Sequence, residues 1–126
     1  MDVYDYNGYI LAFLELMEGK DMSKVVKNYQ HYSEDFCKYT LYCVAKGLQA
    51  MHRMGIIHRD IKSDNILFRE DGAIKISDLG LSAFINQEQS YRKTTTVGTT
   101  AWISPEIAQA TIYSKEVDIW AFGCFA

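Results

Sequence analysis

The sequence predicts an α+β fold within a single domain, and three observations lead to this prediction. Short apolar runs bounded by turn residues, at 9–14, 66–68 and 74–77, are typical of strands. Apolar residues at three- and four-residue spacing, above all in 34–53, are typical of helices. The chain has 126 residues, one proline, and no repeat, low-complexity tract or linker, so no internal domain boundary is expected.

The composition is that of an ordinary globular protein, with 48% hydrophobic and 23% charged residues. The formal net charge of -3 provides no basic field for nucleic acid or anionic lipid. No apolar run approaches the roughly 20 residues that a membrane span needs, and no signal peptide is recognised. We therefore expect a cytoplasmic protein that binds neither nucleic acid nor membrane. Cys37, Cys43 and Cys124 lack metal-site spacing and are odd in number, so we expect buried, reduced thiols.

Residues 3–16 are predicted to form a β-hairpin whose tight turn is Asn7-Gly8. Its second strand, 9–14, is apolar and is expected to be buried. Residues 15–21 then interrupt the strand pattern. An exposed backbone edge beside apolar walls can bind adenine, because it offers a paired donor and acceptor. An ordinary strand end that leads into a surface helix explains the same pattern equally well.

Two helices are predicted next, a short one at 22–29 and a long one at 34–53. Ser33 is a favourable N-cap for the long helix, and the carboxylates after it suit the positive end of the helix dipole. Gly55 is expected to end this helix. The stripe expected to pack into the core consists of Phe36, Thr40, Cys43, Gly47, Leu48 and Met51.

A polar loop lies between two apolar anchors in the stretch 56–68, IIHRDIKSDNILF. Alternate side chains of an extended loop point the same way, so Asp60 and Lys62 can act on one reacting centre. A carboxylate there can accept a hydroxyl proton, and an ammonium group can neutralise charge on a transferring phosphoryl group. Asn65 offers a neutral oxygen ligand for a hard divalent cation. A solvated charged turn is the plainer interpretation of the same residues.

A second oxygen ligand is expected from Asp78, which lies two residues before Gly80. The strands 66–68 and 74–77 are predicted to pair through an Asp-Gly turn. This pairing places Asp78 near Asn65, which gives a physical reason to expect two ligands on one metal. A base, a cation and two magnesium ligands are the groups that phosphoryl transfer requires.

These motifs resemble a known family, because HRDIKSDN followed by DLG is similar to the catalytic and metal loops of eukaryotic protein kinases. The lysine two residues after the aspartate resembles serine/threonine kinases, and IKSDNIL is similar to p21-activated and other sterile-twenty-like kinases. The resemblance implies a protein-kinase-like fold in which Asp60 is the catalytic base and Lys62 an electrostatic stabiliser. It also implies that Asn65 and Asp78 bind Mg²⁺, and that ATP phosphorylates a serine or threonine of a protein substrate.

The same resemblance implies a nucleotide site, since ELMEGKD at 15–21 is similar to the kinase hinge. The residues implied are Leu14 as gatekeeper, Glu15 and Met17 with backbone facing the adenine, Asp21 near the ribose, and Leu67. Leu79 stands where the family usually has phenylalanine, and we expect it to keep the packing against His58.

Residues 81–103 are polar, without a helical or strand period, and resemble an activation segment. The resemblance implies that an upstream kinase phosphorylates Thr95 and that Arg59 binds the phosphate. Thr94 and Thr96 adjoin Thr95, so the site can be any of the three. A merely solvated loop is the alternative for this threonine cluster.

Two further contacts are implied around the catalytic loop. Thr99 matches the threonine that contacts the catalytic aspartate and lysine, here Asp60 and Lys62. DIWAFG resembles the start of the central helix of the large lobe. There the aspartate that matches Asp118 holds the backbone of the catalytic loop.

Two helices are predicted near the end of the sequence. Ser104 and Pro105 supply a capping hydroxyl and a proline at the first helical position, for a short helix that runs to Ala110. Ser114 is expected to cap a second helix over 115–126.

The resemblance extends over 1–126 but covers only part of the kinase domain, namely the hinge and most of the helical large lobe. The sequence contains neither a Gly-rich strand nor a strand with the phosphate-binding lysine of the small lobe, nor the last helices of the family. Two functions therefore stay open. One is a serine/threonine kinase core, and the other is a catalytically silent kinase-derived fragment that acts as a binding or regulatory module. The retained catalytic residues favour the first.

Overall fold

The structure is a computed structural model that describes residues 2–28, 31–85 and 98–126. It has the predicted α+β architecture. The strands are β1 Asp2–Tyr6, β2 Tyr9–Phe13, β3 Gly19–Asp21, β4 Ile56–Ile57, β5 Ile66–Phe68, β6 Ile74–Ile76 and β7 Ala83–Phe84. The α-helices are α1 Met22–Asn28, α2 Glu34–Arg53, α3 Pro105–Ala108 and α4 Glu116–Phe125, with 3-10 turns at Ser63–Asn65 and Thr100–Trp102.

The strands pair into three small antiparallel sheets. The hairpin β1–β2 is one of them, β3 joins the edge of the hairpin β5–β6 in the second, and β4 pairs with β7 in the third. The loop between β4 and β5 therefore connects two sheets. This loop is the polar stretch that the sequence singles out.

The first hairpin has the predicted turn, but its strands are exposed. Asn7 and Gly8 at the turn both have positive φ, at 52° and 80°. The prediction that the second strand is buried is wrong, because every residue of β1 and β2 is exposed and Ile10 reaches 79%. A two-stranded sheet has a buried face only where another layer packs against it, and an apolar sequence alone does not supply that layer.

The long helix α2 begins and ends where the sequence predicts. The Ser33 hydroxyl oxygen accepts a hydrogen bond from the Phe36 amide, with an N···O distance of 3.2 Å. Gly55 follows the helix with a φ of 70°. A Cβ at this position would lie 2.6 Å from the carbonyl oxygen of Ile85, so the close approach of the two backbones requires glycine.

The main core cluster joins α2 to the loop between β4 and β5, to β5 itself and to α4. Thr40 and Leu48 are buried on α2 as predicted, but the third buried residue is Val44, which the predicted stripe omitted. The other residues of the predicted stripe, Phe36, Cys43, Gly47 and Met51, are partly buried. The buried hydrophobic members of the cluster are Val44, Leu48, Ile61, Ile66 and Ala121.

A second core cluster takes its residues from β4, β7, α3, α4 and the segment between these two helices. Its buried members are Ile57, Ala83, Ile107, Tyr113 and Val117. β7 falls within 81–103, where no strand was predicted, and it pairs with β4 through Ile57 and Ala83. A two-residue strand is too short to produce a periodic pattern, which explains why the sequence did not reveal it.

Three details of the last two helices differ from the prediction. Ser104 occupies the N-cap of α3, but its hydroxyl makes no capping bond. The helix ends at Ala108, because Ala110 adopts a positive φ of 53°. The N-cap of α4 is Lys115 instead of Ser114. Backbone bonds close both helix starts, including the one from the Ala108 amide to the Ser104 carbonyl at 3.0 Å, so side-chain caps are not needed there.

The cysteines also differ from the prediction in part. All three thiols are free, as expected, but Cys37 and Cys124 are exposed and Cys43 is only partly buried. Cys37 lies near the start of α2, before the first buried residue of this helix, Thr40. Among the helices in the described ranges, none is long and apolar enough to cross a membrane.

Replacing Ser104 by alanine is expected to leave the free energy of unfolding unchanged or to raise it by up to about 1 kcal/mol. The Ser104 hydroxyl is buried without a hydrogen-bond partner, so its removal breaks no bond. Urea unfolding measures the difference. Ser33→Ala is the matched control, since it removes the bond to Phe36 and is expected to cost about 1 kcal/mol. An equal loss of stability in both variants would show that this account of Ser104 is wrong.

Candidate active site

The loop between β4 and β5 is fixed at both ends by buried apolar side chains. Ile57 precedes it, Ile61 lies within it and Ile66 follows it, with exposed fractions of 1%, 0% and 0%. His58 is also fully buried, and its Nε2 lies 2.9 Å from the Ser77 carbonyl oxygen. The polar side chains between these anchors therefore start from a rigid backbone.

A buried carboxylate on α4 holds the start of the loop. Asp118 is 0% exposed, and its two oxygens accept hydrogen bonds from the amides of His58, at 2.9 Å, and Arg59, at 2.8 Å. The Nε2 of His52 lies 2.8 Å from the same carboxylate. Arg59 has a φ of 68°, a strained backbone conformation for a residue other than glycine. The contacts from Asp118 stabilise that conformation, and they are the ones that the sequence resemblance implies for this aspartate.

Asp60 lies at the centre of a closed set of hydrogen bonds and is 6% exposed. Its Oδ2 accepts bonds from Lys62 Nζ at 2.7 Å and from Asn65 Nδ2 at 3.1 Å. Its Oδ1 accepts bonds from the Thr99 amide at 3.1 Å and the Thr99 hydroxyl at 2.8 Å. Lys62 Nζ also donates to Thr99 Oγ1, at 2.8 Å. The expected convergence of Asp60, Lys62 and Thr99 is thus present.

The surroundings of Asp60 keep it ionised. Burial by itself would raise the pKa of this carboxyl. The hydrogen bonds from Lys62 and Thr99 and the positive charge of Lys62 act in the opposite direction and prevail, so the pKa of Asp60 is lowered. At neutral pH the site therefore contains a carboxylate with an ammonium group bound to it.

The two predicted metal ligands lie at the same end of the β5–β6 hairpin. The Ser77 amide donates to the Asn65 carbonyl at 2.8 Å, and Asp78 follows directly. Asp78 is exposed with a φ of 64°, and its Oδ1 accepts a bond from the Gly80 amide at 3.0 Å. In the ranges that the structure describes, no group of three or more His, Cys, Asp or Glu side chains forms a metal cluster. A site here would therefore take few ligands from the protein.

The donor atoms fit a magnesium ion. Asn65 turns its Nδ2 toward Asp60, so its amide oxygen points away from that carboxylate and can serve a cation. Asp78 supplies an exposed carboxylate. Mg²⁺ usually takes one or two protein oxygens and keeps water or phosphate oxygens in its other positions.

The expectation that Leu79 packs against His58 is wrong. Leu79 is 57% exposed, whereas His58 is fully buried and bonded to Ser77. The positive φ of Asp78 changes the direction of the chain, and a tight turn from the Leu79 carbonyl to the Ser82 amide, at 2.9 Å, follows. The leucine side chain consequently lies outside the core.

The residues expected to bind the nucleotide lie along β3, β5 and the segment before them. Gly19 and Asp21 of β3 pair with Phe68 and Leu67 of β5. Leu67 and Met17 are partly buried, whereas Leu14 is 71% exposed. The structure brings Asp21 and Leu67 together but does not enclose Leu14.

Asp21 has a clear structural role at the start of α1. Its carboxylate accepts bonds from the Lys24 amide at 2.9 Å and the Ser23 hydroxyl at 2.7 Å, and Lys24 Nζ lies 2.6 Å away. The hydrogen bond from the Lys24 side chain, followed by that from Ser23, lowers the pKa of Asp21. These bonds already occupy the Asp21 carboxylate. Its expected place near a ribose stays a prediction.

Comparison of the sequence with known proteins identifies the family of this chain. A family model described as the protein kinase domain matches residues 1–126. The chain belongs to the protein kinase domain family. The Asp60 cluster and the Asp118 anchor both lie within the residues that this family model matches.

Several serine/threonine-protein kinases are similar to this chain. The serine/threonine-protein kinase MST20 of Pyricularia oryzae is 41% identical over 100% of this chain and 14% of its own length. STE20 of Yarrowia lipolytica is 41% identical over 98% of this chain and 11% of its own. The kinase pakA of Talaromyces marneffei is 42% identical over 100% and 19%. The chain thus spans less than a fifth of each of these relatives.

The arginine of the kinase loop is already engaged within the described residues. Arg59 donates from Nε to the Leu81 carbonyl at 2.5 Å and from Nη1 to the Tyr113 hydroxyl at 2.8 Å. The three candidate phosphorylation sites, 94–96, lie outside the described residues. The phosphate contact of Arg59 accordingly stays a prediction.

Two residues of this kinase site were not identified from the sequence. His52 contacts Asp118, and Tyr113 contacts Arg59. These pairs are separated by 66 and 54 residues along the chain. No local pattern signals a contact over that distance.

Asp118→Asn is expected to lower the free energy of unfolding by about 2 kcal/mol or more. The amide has one acceptor oxygen, so at least one of the buried amides of His58 and Arg59 would face an NH₂ group. Urea unfolding checks this. Glu116→Gln, an exposed position on the same helix, is the control and is expected to change stability by less than about 0.5 kcal/mol. Similar values for the two variants would contradict the anchoring role of Asp118.

The pKa of Asp60 in the folded protein is expected to lie below its ordinary value of 3.8 and to rise in Lys62→Met. That variant removes a hydrogen bond and a positive charge but keeps the burial. Carbon NMR of the carboxyl group during a pH titration measures both values. Since the folded-state pKa is lowered, the ionised carboxylate stabilises the fold above pH 3.8, and this contribution is lost as pH falls through the folded-state pKa. Lys46→Met, on an exposed part of α2, is the control, and an unchanged pKa in Lys62→Met would refute the assignment.

Proposed function

We propose that this chain is the catalytic part of a protein serine/threonine kinase, which transfers the γ-phosphate of ATP to a serine or threonine hydroxyl of a protein substrate. The observation that carries the proposal is the set of bonds joining Asp60, Lys62 and Thr99. The three relatives compared above are serine/threonine-protein kinases, which supports the same activity.

Asp60 is proposed to orient the accepting hydroxyl and to take its proton. A carboxylate with a lowered pKa is a weak base, so it does not deprotonate a serine in advance. It accepts the proton as the oxygen–phosphorus bond forms and the hydroxyl becomes acidic. This timing suits a loose transition state, in which positioning and charge stabilisation matter more than basicity.

Lys62 is proposed to stabilise the charge on the transferring phosphoryl group. Its side chain is 21% exposed, so it is partly accessible to solvent while its ammonium group is bonded to Asp60 and Thr99. An ammonium group held by two neighbours pays little reorganisation cost when charge develops nearby. Thr99 thereby fixes the positions of both the proposed base and the proposed cation.

Asn65 and Asp78 are proposed to hold Mg²⁺, with ATP as the co-substrate. The bound ion would bring the nucleotide phosphates to the loop and neutralise part of their charge. The residues of this chain do the positioning, because the Asn65 amide nitrogen is fixed by the carbonyl and the carboxylate of Asp60, at 2.8 and 3.1 Å. The proposed metal ligand Asn65 is therefore hydrogen-bonded directly to the proposed base Asp60.

The nucleotide base is proposed to lie against the backbone of Glu15 and Met17, beside Leu14 and Leu67. The ribose would lie near Asp21.

Regulation by an upstream kinase at Thr95, with Arg59 as the phosphate-binding residue, belongs to the same proposal. Its support is the position of Arg59 in the catalytic loop, directly before Asp60.

Asp60→Asn is expected to lower kcat by at least about 100-fold while the affinity for ATP stays nearly unchanged. The amide keeps the size of the side chain but cannot accept the proton. The measurement is transfer of labelled phosphate, with ATP binding followed by titration, in a complete kinase domain that contains this sequence. Asp35→Asn, an exposed position at the start of α2, is the matched control. Turnover of Asp60→Asn at the rate of the parent would remove the proposed role, and absence of transfer in the parent would favour a silent binding module.

A further inference from the structure

Five residues without regular structure, 14–18, join β2 to β3, and one of their side chains is held by the β5–β6 hairpin. The carboxylate of Glu15 forms an ion pair through Oε1 with Arg69 Nη1. Its Oε2 lies 3.4 Å from Lys75 Nζ. Both oxygens of one carboxylate are thus bound by cations that belong to a different part of the chain.

The side chain of Arg69 is also held by a second carboxylate. Its guanidinium group binds Asp71 through two bonds, from Nε to Oδ1 at 2.9 Å and from Nη2 to Oδ2 at 2.5 Å. The hydrogen bond from Arg69, the largest effect, lowers the pKa of Asp71 to about 2. The turn is closed by the Arg69 amide, which donates to the Ala73 carbonyl at 2.9 Å. A two-bond fork orients the guanidinium plane and leaves Nη1 directed at the third partner.

The contact lies beside the proposed adenine site. The segment 14–18 ends at Gly19, which pairs with Phe68, the residue directly before Arg69. Leu67 and Lys75 are cross-strand partners, so their side chains share one face of the hairpin. Lys75 therefore approaches Glu15 from the face that Leu67 occupies.

We propose that Arg69, assisted by Lys75, is a positioning residue for the nucleotide, and that it acts by fixing Glu15 and with it the backbone of 14–18. The inference rests on the proposed function, in which this backbone donates and accepts the hydrogen bonds to adenine. An unheld segment would have to be ordered when ATP binds, and that cost would weaken binding. Arg69 contributes through Glu15 and has no part in the chemical step.

The expected effect is modest, because the ion pair is accessible to water. The side chains of Arg69 and Glu15 are 35% and 45% exposed. A pair of this kind corresponds to roughly a two- to five-fold change in an equilibrium constant. Arg69→Gln should accordingly weaken ATP binding by about two- to five-fold.

The first experiment separates binding from chemistry. In a complete kinase domain that contains this sequence, Arg69→Gln is expected to raise the Kd and the KM for ATP together, with kcat unchanged. Arg53→Gln is the matched control, because Arg53 is an exposed arginine on α2 far along the chain from the hairpin. In Arg69→Gln a fall in kcat with an unaltered Kd would overturn the inference.

A double-mutant cycle tests the route through Glu15. If Arg69 acts through this carboxylate, Glu15→Gln should weaken ATP binding by a similar factor, and the variant with both changes should bind ATP no more weakly than either single one. Additive losses of affinity would show that Arg69 acts by some other path, which would also overturn the inference.

Amide hydrogen exchange tests the same contact without any need for activity. The amides of 15–18 are expected to exchange faster in Arg69→Gln and in Glu15→Gln than in the parent or in Arg53→Gln. Unchanged exchange rates in both variants would overturn the inference whether or not the protein is active. A parent that binds ATP but shows no Asp60-dependent transfer would overturn the proposed catalysis alone, and the Kd and exchange measurements would still decide the role of Arg69.

Discussion

The rest of the site depends on the hydrogen bonds between the Asp118 carboxylate and the start of the loop between β4 and β5. This carboxylate is fully buried on α4, and it binds the amides of His58 and Arg59 at the point where β4 ends. Burying a charge without such partners would cost several kcal/mol, so the loop and the helix stabilise each other in one arrangement only. The strained φ of Arg59 is tolerated for the same reason. Asp60 follows directly, and its place is therefore determined by a residue 58 positions further along the chain.

The site is assembled from four parts of the chain, each fixed by different physics. Apolar burial fixes the catalytic loop, backbone pairing of β5 with β6 brings Asn65 and Asp78 to one end of a hairpin, and hydrogen bonds from Thr99 tie in the segment before α3. Charge alone links the segment 14–18 to the β5–β6 turn. Of these links, the last is the one most exposed to water and to salt, so it is also the one most easily altered by substitution.

Local signals in the sequence were sufficient for much of the fold. The Ser33 cap, the end of α2 at Gly55 and the tight turn at Asn7-Gly8 each depend on a few neighbouring residues, and the structure shows all of them. The spacing of Asp60 and Lys62 also predicted their convergence correctly. In contrast, the burial of β2 and the packing of Leu79 depend on what other elements cover them, and an apolar sequence does not contain that information.

The remaining errors have the same origin. Ser104 has the residue type of a helix cap, but its side chain is 1% exposed and makes no bond, because the surrounding core, not the helix end, decides its environment. His52 and Tyr113 belong to the site through contacts with residues 66 and 54 positions away along the chain. Only the resemblance to kinases placed Thr99 and Asp118, since no spacing rule connects either of them to Asp60.

The hydrogen bonds from Thr99 to Asp60 affect how a substrate could bind at this site. The Thr99 hydroxyl donates to Asp60 Oδ1, and the Thr99 amide donates to the same oxygen. Each carboxylate oxygen offers two lone pairs, so both acceptor positions of Oδ1 are taken within the chain itself, as are those of Oδ2. In the proposed reaction an incoming serine or threonine would displace one of these donors, and the one that it resembles chemically is the Thr99 hydroxyl. Under that proposal the Thr99 hydroxyl occupies the position of the substrate hydroxyl until the substrate binds, so substrate binding would exchange one alcohol for another at Asp60 Oδ1.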